Sequence, residues 1–588
     1  MCFQSTGFGI TRRSFVLGAS AGALTFSPSW TQADSILSAA PVLSGPQFDL
    51  QVISGTVNFT GRRRMATTIN GGVPGPTLRW REGDEVSIRV TNRMTVPSSI
   101  HWHGIILPWH MDGVPGLSFG GIAPGTSFTY RFRVRQSGTY WYHSHSQFQE
   151  QTGLYGALII DPASPDPIGF DNEHVILLSD WTDQDPMRLF ARLKKQSHYY
   201  NFNRRTLADI RTDIQRDGLA NFRRNRSSWN RMRMTDRDLA DVTGAAYTYL
   251  MNGQTPERNW SALFSNGERV RLRFINGSAM TIFDVRIPGL AMTVVAADGQ
   301  NVEPVTVDEF RIGVAETYDV IVTPESDTPY TLFAQSIDRL GFARGTLTPA
   351  PGLTPAVPPV DPPTPLTMTD MGMGTGMGMG MGAGTDTATG MAAGSTNMTT
   401  MNRAGSTTPQ AQDHSVSGTA PRAAIDMRAS NPLPRYDDPG VGLRNRPWRV
   451  LRYGDLQRLD PPREVRDPER EIELHLTGNM MRYMWSIDGV KFSDADPIEL
   501  RLGERVRFVL INDTMMNHPI HLHGLWSDVL TSPGGQSARM HTVLVQPGQK
   551  VTYDVTADAL GPWAYHCHLL YHMDAGMFRV VNVKPEAA

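Results

Sequence analysis

Ten of the 16 histidines in the chain fall into four short clusters whose spacing suits metal binding. Alternate side chains of a β-strand point to the same face, so each His-x-His pair can direct two imidazoles at one point. Several such pairs could together hold more than one metal ion. In chain order the clusters are His101 and His103; His143 and His145; His518, His521 and His523; and His566, His568 and His572.

The His-x-His pairs occupy equivalent positions in two related parts of the chain. His101 lies nine residues after Asn92, and His521 lies nine residues after Asn512. The segment GTYWYHSH at 138–145 likewise matches GPWAYHCH at 561–568. Eight histidines from two related domains can therefore meet at one interface. Imidazole binds several transition metals, but eight imidazoles without a carboxylate favour a multinuclear copper site.

A second set of possible ligands occurs near the carboxyl terminus. Cys567 stands between His566 and His568, so its sulfur faces away from their imidazoles. His518, His572 and Met577 can join it in a trigonal His₂Cys arrangement with a weak axial thioether, which is typical of blue-copper electron-transfer centres. The corresponding residues of the first repeat cannot form such a centre, and they are Ser98, Ser144, Gln149 and Leu154.

Three repeated segments indicate which elements position these residues. Residues 83–92, 267–276 and 503–512 each begin with glycine and continue with alternating apolar residues, which predicts a turn followed by a half-buried strand. Their wide spacing indicates whole repeated domains. With 55 glycines and 41 prolines, the chain is predicted to be all-β, with three Greek-key sandwich domains at 46–162, 172–350 and 440–588. The middle domain has Val285 and Ile287 where a His-x-His pair would stand, so we expect it to hold no metal.

Two regions depart from the repeated pattern. Residues 185–241 contain 14 Lys or Arg and 7 Asp or Glu, which predicts a basic, mainly helical insertion in the second domain. It is interpreted either as a solvated cover over the sandwich or as a surface for a partner. Residues 351–435 are rich in Pro, Gly, Thr and Met, which predicts a disordered linker.

Methionine is concentrated in this linker, where Met alternates with Gly from 371 to 382 except at Thr375. Thioethers select Cu(I), so the tract is predicted to bind additional cuprous ions, although it could also be a simple linker. A second group of methionines could bring Cu(I) to the place where electrons are accepted, and it consists of Met480, Met481, Met484, Met515 and Met516.

Residues 1–40 are predicted to be a twin-arginine signal region. Arg12 and Arg13 precede an apolar run from 15 to 26 that is shorter than the ~20 residues needed to span a bilayer. We expect cleavage between Ala33 and Ala40 and export to the periplasm by the twin-arginine machinery. The net charge of −2 argues against a nucleic-acid partner, and no stable membrane insertion is expected.

Four motifs in order, HWHG, HSH, HPIHLHG and HCHLLYHMDAGM, make the chain from residue 46 onward resemble the three-domain multicopper oxidases. The segment at 180–202, the run YLMNGQTP at 249–256 and the Met-rich linker resemble the bacterial periplasmic copper-resistance protein A type. The resemblance implies cupredoxin-like domains and four copper ions. It assigns type 2 copper to His101 and His521, the type 3 pair to His103, His143, His145, His523, His566 and His568, and type 1 copper to His518, Cys567, His572 and Met577.

The resemblance also implies that four single electrons from a donor reduce O₂ to two waters. It places Asp112 near the type 2 copper as a proton carrier, although Asp-Gly is also an ordinary turn sequence. Some relatives carry an acidic residue directly after His572, where this chain has Met573, and Asp574 is the candidate replacement. The donor could be Cu(I), as in copper detoxification, or a phenol, as in laccases. The third hypothesis is a copper-sequestering protein with little turnover.

Overall fold

The computed structural model describes residues 40–373, 425–461, 464–531 and 538–585. The predicted signal region lies outside these residues, except for Ala40. Most of the Met-rich tract, from residue 374 onward, also lies outside them.

Six β-sheets, in three successive pairs, form the described part of the chain. The strands of the first pair are β1 (Val42–Ser44), β2 (Gln47–Val57), β3 (Arg64–Ile69), β4 (Thr77–Arg81), β5 (Glu85–Asn92), β6 (His101–His103), β7 (Ser127–Arg133), β8 (Gly138–His143) and β9 (Tyr155–Asp161). Those of the second pair are β10 (Asn172–Trp181), β11 (Thr248–Met251), β12 (Trp260–Leu263), β13 (Val270–Asn276), β14 (Phe283–Arg286), β15 (Met292–Ala297), β16 (Gln300–Val307), β17 (Glu309–Ile312), β18 (Thr317–Val322), β19 (Tyr330–Ser336) and β20 (Phe342–Thr348). Those of the third pair are β21 (Arg470–Asn479), β22 (Met484–Ile487), β23 (Ile498–Arg501), β24 (Arg505–Asn512), β25 (His518–Leu522), β26 (Ser527–Val529), β27 (Arg539–Met540), β28 (Thr542–Val545), β29 (Lys550–Thr556), β30 (Gly561–Cys567) and β31 (Phe578–Lys584).

The second and third pairs of sheets have the same strand order. The larger sheets run β11-β10-β13-β18-β15-β16 and β22-β21-β24-β29-β26-β27, and the smaller run β12-β20-β19-β14-β17 and β23-β31-β30-β25-β28. The first pair has the orders β3-β2-β5-β7 and β1-β4-β9-β8-β6. The predicted all-β architecture of three sandwiches is therefore confirmed.

The three glycine-led segments form the strands β5, β13 and β24, as predicted. β5 alternates between buried and exposed residues, whereas every residue of β13 is buried. The difference arises because the polar face of β13 packs against β8 of the first sandwich. There Arg271 and Arg273 make ion pairs with Asp319, and Arg273 also donates to Thr139. A buried guanidinium is stable only when it is paired in this way.

The insertion is mainly helical, as predicted. Its helices are α1 (Pro186–Lys195), α2 (Leu207–Asp217) and α3 (Leu219–Met232). Asp185 caps α1 by accepting hydrogen bonds from two backbone amides, and Thr206 forms a capping box with Asp209 at the start of α2. A further short helix, α4 (Leu570–Ala575), follows β30. Within the described residues, no helix is long and apolar enough to cross a membrane.

The insertion covers the third sandwich, which the sequence did not predict. The Phe190 ring of α1 stacks on Tyr571 of α4 at 5.8 Å between centroids. Lys194 of α1 donates a hydrogen bond of 2.8 Å to the carbonyl oxygen of Tyr483. The insertion therefore lies beside the segment that carries the Cys567 ligand set.

The prediction of a disordered linker is wrong for the described residues 351–373 and 425–435. Asp361 makes ion pairs with Arg286 and Arg446, and Asp370 pairs with Arg444 at 2.5 Å. Leu366 and Met371 are buried and anchor residues 351–373. Met427 and Tyr436 are also buried and anchor the chain after the undescribed segment. The low hydrophobicity of the composition concealed these anchors, because a few apolar and acidic side chains suffice to fix an extended segment on an existing surface.

Candidate metal centres

The eight paired histidines meet at the interface between the first and third sandwiches. The rings of His103 and His521 stack at 3.8 Å between centroids, and those of His101 and His523 lie 4.0 Å apart. Seven of the eight side chains are buried, and His145 is partly exposed. Three groups each have ligand nitrogens within 4.8 Å of one another, and they are His101, His103 and His521; His101, His145 and His523; and His103, His143 and His568.

The strand register explains why both sandwiches present four histidines. β6 pairs with β8 so that His101 is opposite His143, and β25 pairs with β30 so that His521 is opposite His566. The repeated domains thus bring their two His-x-His pairs together through the same antiparallel pairing. The His-x-His spacing in the sequence predicted each pair of histidines. The strand register then places the two pairs of each sandwich side by side.

Backbone carbonyl oxygens fix the orientation of three rings. His101 Nδ1 lies 2.8 Å from the Asp112 carbonyl, His521 Nδ1 lies 2.6 Å from the His541 carbonyl, and His566 Nδ1 lies 3.0 Å from the Cys567 carbonyl. A carbonyl only accepts, so each of these Nδ1 atoms carries the proton. The Nε2 lone pairs are thereby left free to bind a metal.

Two buried carboxylates hold further rings. Asp112 Oδ2 lies 2.8 Å from His523 Nδ1, so a residue of the first sandwich orients a histidine of the third. Its Oδ1 is 3.3 Å from His101 Nδ1. The sequence predicted Asp112 beside this cluster, and the structure places it there. Glu150 Oε2 lies 2.6 Å from His143 Nδ1. The sequence did not indicate Glu150, because no short pattern links it to His143.

The positions of the ring nitrogens show that the histidine cluster is suited to bind copper. Nε2 of His523 and Nε2 of His566 are 3.0 Å apart, yet both rings hold their proton on Nδ1. Two facing lone pairs repel each other unless a cation lies close to both. Burial lowers the pKa of these histidines, so protonation of either is disfavoured. Among the described residues, further buried ring nitrogens also lack a hydrogen-bond partner: His101 Nε2, His103 Nδ1, His145 Nε2, His521 Nε2 and His568 Nδ1.

The second ligand set forms a compact site that is separate from the histidine cluster but adjacent to it through Cys567, which stands between His566 and His568. Cys567 Sγ lies 3.5 Å from His518 Nδ1 and 3.8 Å from His572 Nδ1. The two Nδ1 atoms are 3.2 Å apart. Met577 is fully buried, and its carbonyl accepts the Cys567 amide hydrogen bond. Burial raises the pKa of the Cys567 thiol, and a metal cation is what stabilises the thiolate in such surroundings.

His572 is oriented by a carboxylate from the helical insertion. Its Nε2 lies 2.6 Å from Asp241 Oδ2, and Tyr483 donates a 3.0 Å hydrogen bond to the same oxygen. Trp485 stacks on the His572 ring at 3.9 Å. Burial raises the pKa of Asp241 to about 7, against the opposing effect of the Tyr483 hydrogen bond. No local pattern indicated Asp241, because it lies more than 300 residues before His572 in the sequence.

Comparisons with known proteins agree with this geometry. Three family models, each described as multicopper oxidase, match residues 51–165, 222–350 and 466–587. The chain is 53% identical to copper resistance protein A of Escherichia coli, over 98% of this chain and 99% of that protein. It is 54% identical to copper resistance protein A of Pseudomonas syringae pv. tomato, with the same coverage.

The chain belongs to the multicopper oxidase family.

This multicopper oxidase shares its fold with solved structures of much lower identity. Fet3p, described as a multicopper oxidase that functions in iron import, is 20% identical and aligns over 92% of this chain and 91% of its own with a TM-score of 0.63. The laccase from Botrytis aclada is 21% identical, with coverage of 92% and 88% and a TM-score of 0.59. As a member of this family the chain is a copper-dependent oxidoreductase, and the predicted resemblance is confirmed.

The second sandwich of the multicopper oxidase supports the third sandwich beside the histidine cluster. Val285 is fully buried in β14 and Ile287 is buried just after it, so neither position offers a ligand. Asp298 instead accepts hydrogen bonds from the backbone amides of His541 and Thr542 in the third sandwich. This buried acid fixes the segment beside His103 and His521.

Asp574, the other predicted acidic residue, is not brought to the histidine cluster. It lies on α4 with its side chain exposed, and its charged neighbour is Lys194 of α1. Its helix turns it away from the interface that holds the imidazoles. Within the described residues, Asp112 and Glu150 are the acids in contact with the cluster.

Proposed function

We propose that the protein is a cuprous oxidase that couples the oxidation of four Cu(I) ions to the reduction of one O₂. Four Cu(I), four protons and one O₂ give four Cu(II) and two waters. The observation that carries this proposal is the environment of His572. Its side chain is fully buried, and its outer nitrogen is occupied by the Asp241 carboxylate. With a pKa of about 7, Asp241 is partly ionised at neutral pH, and an acidic group at this position suits a cationic donor such as Cu(I).

A phenol is a poorer donor for this geometry. Laccase-like oxidation requires an open groove beside His572. Here the insertion covers that side, since α1 contacts Tyr483 and Tyr571, and the turn with Asp241 lies directly on the ring. The names of the two copper resistance proteins also favour copper over a phenol as the physiological substrate.

The proposed copper ligands are those that the sequence indicated. His101 and His521 would hold type 2 copper, and Cys567, His518, His572 and Met577 would hold type 1 copper. Bound copper supplies one-electron acceptance at the Cys567 site and four-electron reduction of O₂ at the histidine cluster. The type 3 pair, completing a count of four ions, would be held by His103, His143, His145, His523, His566 and His568.

The chain's own residues keep the two sites aligned. Cys567 lies between His566 and His568, so a short covalent path joins them. Asp112 Oδ2 accepts the Nδ1 proton of His523, which fixes the ring with Nε2 toward the cluster. Glu150 orients His143 in the same way. We propose that Asp112 also carries protons to the cluster, because it lies at its edge in contact with rings from both sandwiches.

We propose that this oxidation takes place in the periplasm after export by the twin-arginine machinery. The support is the Arg12-Arg13 signal pattern in the sequence and the copper resistance function named for two relatives. A Cu(I) oxidase there would convert cuprous ions to Cu(II).

The deciding experiment is O₂ consumption by copper-loaded protein with Cu(I) and, separately, with a phenol. We expect rapid oxidation of Cu(I) and a kcat/KM for the phenol lower by about 100-fold, because an uncharged ring has no route to His572. A preference for the phenol would make the protein a laccase. Copper binding without O₂ consumption from either donor would make it a sequestering protein.

A further inference from the structure

The turn between β15 and β16 of the second sandwich reaches the histidine cluster. It consists of Asp298 and Gly299, and the side chain of Asp298 is fully buried. Both residues have a positive φ, which aspartate and glycine adopt more readily than most residues. A Cβ on Gly299 would lie 2.3 Å from the Tyr140 ring of the first sandwich, so this close approach requires glycine. The turn is thus packed directly against the first sandwich.

The Asp298 carboxylate joins this turn to the third sandwich. Its Oδ2 accepts hydrogen bonds from the backbone amides of His541, at 3.1 Å, and Thr542, at 2.9 Å. Its Oδ1 accepts a 3.0 Å hydrogen bond from the amide of Thr317 in β18. A buried carboxylate is stable only when its oxygens are bonded in this way. One side chain of the second sandwich therefore fixes two consecutive amides of the third.

The two residues that Asp298 holds each contact a different ring of the cluster. The His541 carbonyl accepts the Nδ1 proton of His521 at 2.6 Å, and Thr542 Oγ1 lies 3.1 Å from His103 Nε2. The other nitrogen of His103, Nδ1, lacks a hydrogen-bond partner, so it is the one free for a metal and Nε2 donates to the Thr542 hydroxyl. The same two residues thus orient both rings, which stack at 3.8 Å.

A buried acid that accepts backbone amides ordinarily serves to stabilise a turn. That role accounts for the hydrogen bond to Thr317, which lies within the second sandwich. It does not account for the bonds to His541 and Thr542, which belong to another sandwich and support the two rings. A metal ligand must be held within about 0.5 Å of its productive position, so a small displacement of these two residues would disturb both rings.

We propose that Asp298 is a positioning residue for the reduction of O₂: it fixes the backbone of His541 and Thr542 and thereby the orientation of His521 and His103. The proposal rests on the proposed assignment of these two rings to type 2 and type 3 copper, and it is independent of the donor. The second sandwich, which supplies none of the proposed ligands, would in this way control the geometry of the histidine cluster.

The test is Asp298→Asn in the copper-loaded full chain. Asparagine keeps the size of aspartate and tolerates a positive φ, but its amide group puts a donor where the carboxylate accepts. Asp338→Asn is the matched control, since Asp338 is also a buried acid of the second sandwich and accepts from Ser336 and Leu340 of that sandwich. The measurements are the electron paramagnetic resonance spectrum of type 2 copper, copper per chain, blue absorption, and kcat and KM for Cu(I).

We expect Asp298→Asn to change the type 2 spectrum or lose type 2 copper, and to lower kcat at least tenfold at unchanged KM and unchanged blue absorption. The Asp338→Asn protein should keep the type 2 spectrum and kcat of the intact chain, even if its melting temperature falls. An unchanged type 2 spectrum and kcat in Asp298→Asn would overturn the proposal. Equal spectral changes in both variants would also overturn it, because they would indicate a general loss of stability.

A second variant applies if Asp298→Asn does not fold. Thr542→Val keeps the shape of threonine and the amide that Asp298 holds, but it removes the oxygen that accepts from His103. A lower kcat at unchanged blue absorption is expected, and an unchanged kcat would contradict the proposal. If the intact copper-loaded chain shows no type 2 signal, the ligand assignment is wrong, whereas a normal signal in both the intact chain and Asp298→Asn refutes only the role of Asp298.

Discussion

Six of the ten histidine rings of the proposed copper sites are each held by a carbonyl or carboxylate oxygen on one ring nitrogen, which leaves the other nitrogen for the metal. Carbonyl oxygens serve His101, His521 and His566, and carboxylates serve His143, His523 and His572. Such partners set the tautomer and limit rotation of the ring, which lowers the entropy lost on metal binding. The sites are therefore preorganised by groups that do not themselves bind the metal.

At the scale of single residues, the assignment of Cys567 as a copper ligand gives a spectroscopic prediction. Copper-loaded protein should be blue from thiolate-to-Cu(II) charge transfer, and Cys567→Ser should abolish the colour together with at least 99% of the oxidase activity, because serine offers no thiolate. Visible absorption and O₂ uptake measure the two effects. A Cys567→Ser protein that remains blue would contradict the assignment.

The two copper sites should respond separately to substitution. His101→Ala and His521→Ala each remove a proposed type 2 ligand, so O₂ reduction should fall by about 100-fold while the blue absorption remains. Both rings lie in the histidine cluster, apart from the Cys567 ligand set. His174→Ala serves as the control, because His174 Nε2 donates a 2.8 Å hydrogen bond to the carbonyl oxygen of Leu263 in β12 of the second sandwich. Loss of the blue band in a folded His101→Ala protein would disprove the separation.

At the scale of secondary structure elements, the helical insertion covers the side of the third sandwich that carries His572. α1 is amphipathic, with Leu189 and Leu193 buried and a basic outer face. Phe190 packs between Phe148 and Tyr571, and Lys194 fixes the end of the helix to Tyr483. The elements that cover the electron-accepting side thus come from the second domain, while the ligands come from the third.

Loosening α1 should widen the choice of donor. In Phe190→Ala/Lys194→Ala the ring stacking and the hydrogen bond to Tyr483 are lost, so kcat/KM for a phenol should rise about tenfold, and the melting temperature should fall by a few degrees. Phe202→Ala is the control, because Phe202 belongs to the insertion but is 64% exposed. Phenol kinetics identical to those of the unaltered protein would show that α1 does not restrict access.

At the scale of the whole molecule, the histidine cluster joins the two ends of the chain. Imidazoles from the first and third sandwiches approach within 3.3 Å of each other, between His143 and His568. The Asp112 contact with His523 crosses the same interface. Copper bound at this place would stabilise the assembly of the sandwiches as well as supply the chemistry.

Removal of copper should therefore destabilise the protein. A ligand present at about 1000 times its Kd adds about 4 kcal/mol to the free energy of unfolding. The melting temperature of chelator-treated protein should then be lower by about 3 °C, measured by scanning calorimetry. Copper-loaded Cys567→Ser should lose less, because the interface cluster keeps its ligands. Equal melting temperatures with and without copper would mean that the sandwiches associate independently of the metal.

The Met-rich tract allows a test of copper delivery over the whole chain. Residues 374–401 contain six methionines and lie outside the described residues. Met371 and Asp370 are packed, so a deletion should begin after them. Deletion of 374–401 should raise the KM for Cu(I) about tenfold at low copper, through loss of effective concentration, and leave phenol oxidation unchanged.

A variant with the same six methionines changed to serine keeps the length of the tract but removes its thioethers. It therefore distinguishes the effect of the thioethers from the effect of the length. Both variants should show the same increase in KM for Cu(I). If the serine variant behaves like the intact chain, the tract contributes only its length. If both donors are oxidised more slowly after deletion, the tract holds the domains in place.

The sequence by itself determined the repeated sandwiches and indicated which residues could form the two candidate ligand sets. These features depend on spacing within a strand and on offsets between repeats, such as His101 and His521 after equivalent asparagines, and both are local properties of the chain. The position of Asp112 was available from the family resemblance.

Only the tertiary structure decided which acids hold the rings, what covers His572 and how residues 351–373 are fixed. Glu150, Asp241 and Asp361 each act on a partner that no short pattern links to them, and Asp574 lies away from the cluster despite its place in the motif. Contacts of this kind depend on how sheets and helices pack across the molecule, so residues far apart in sequence become neighbours only in the folded chain.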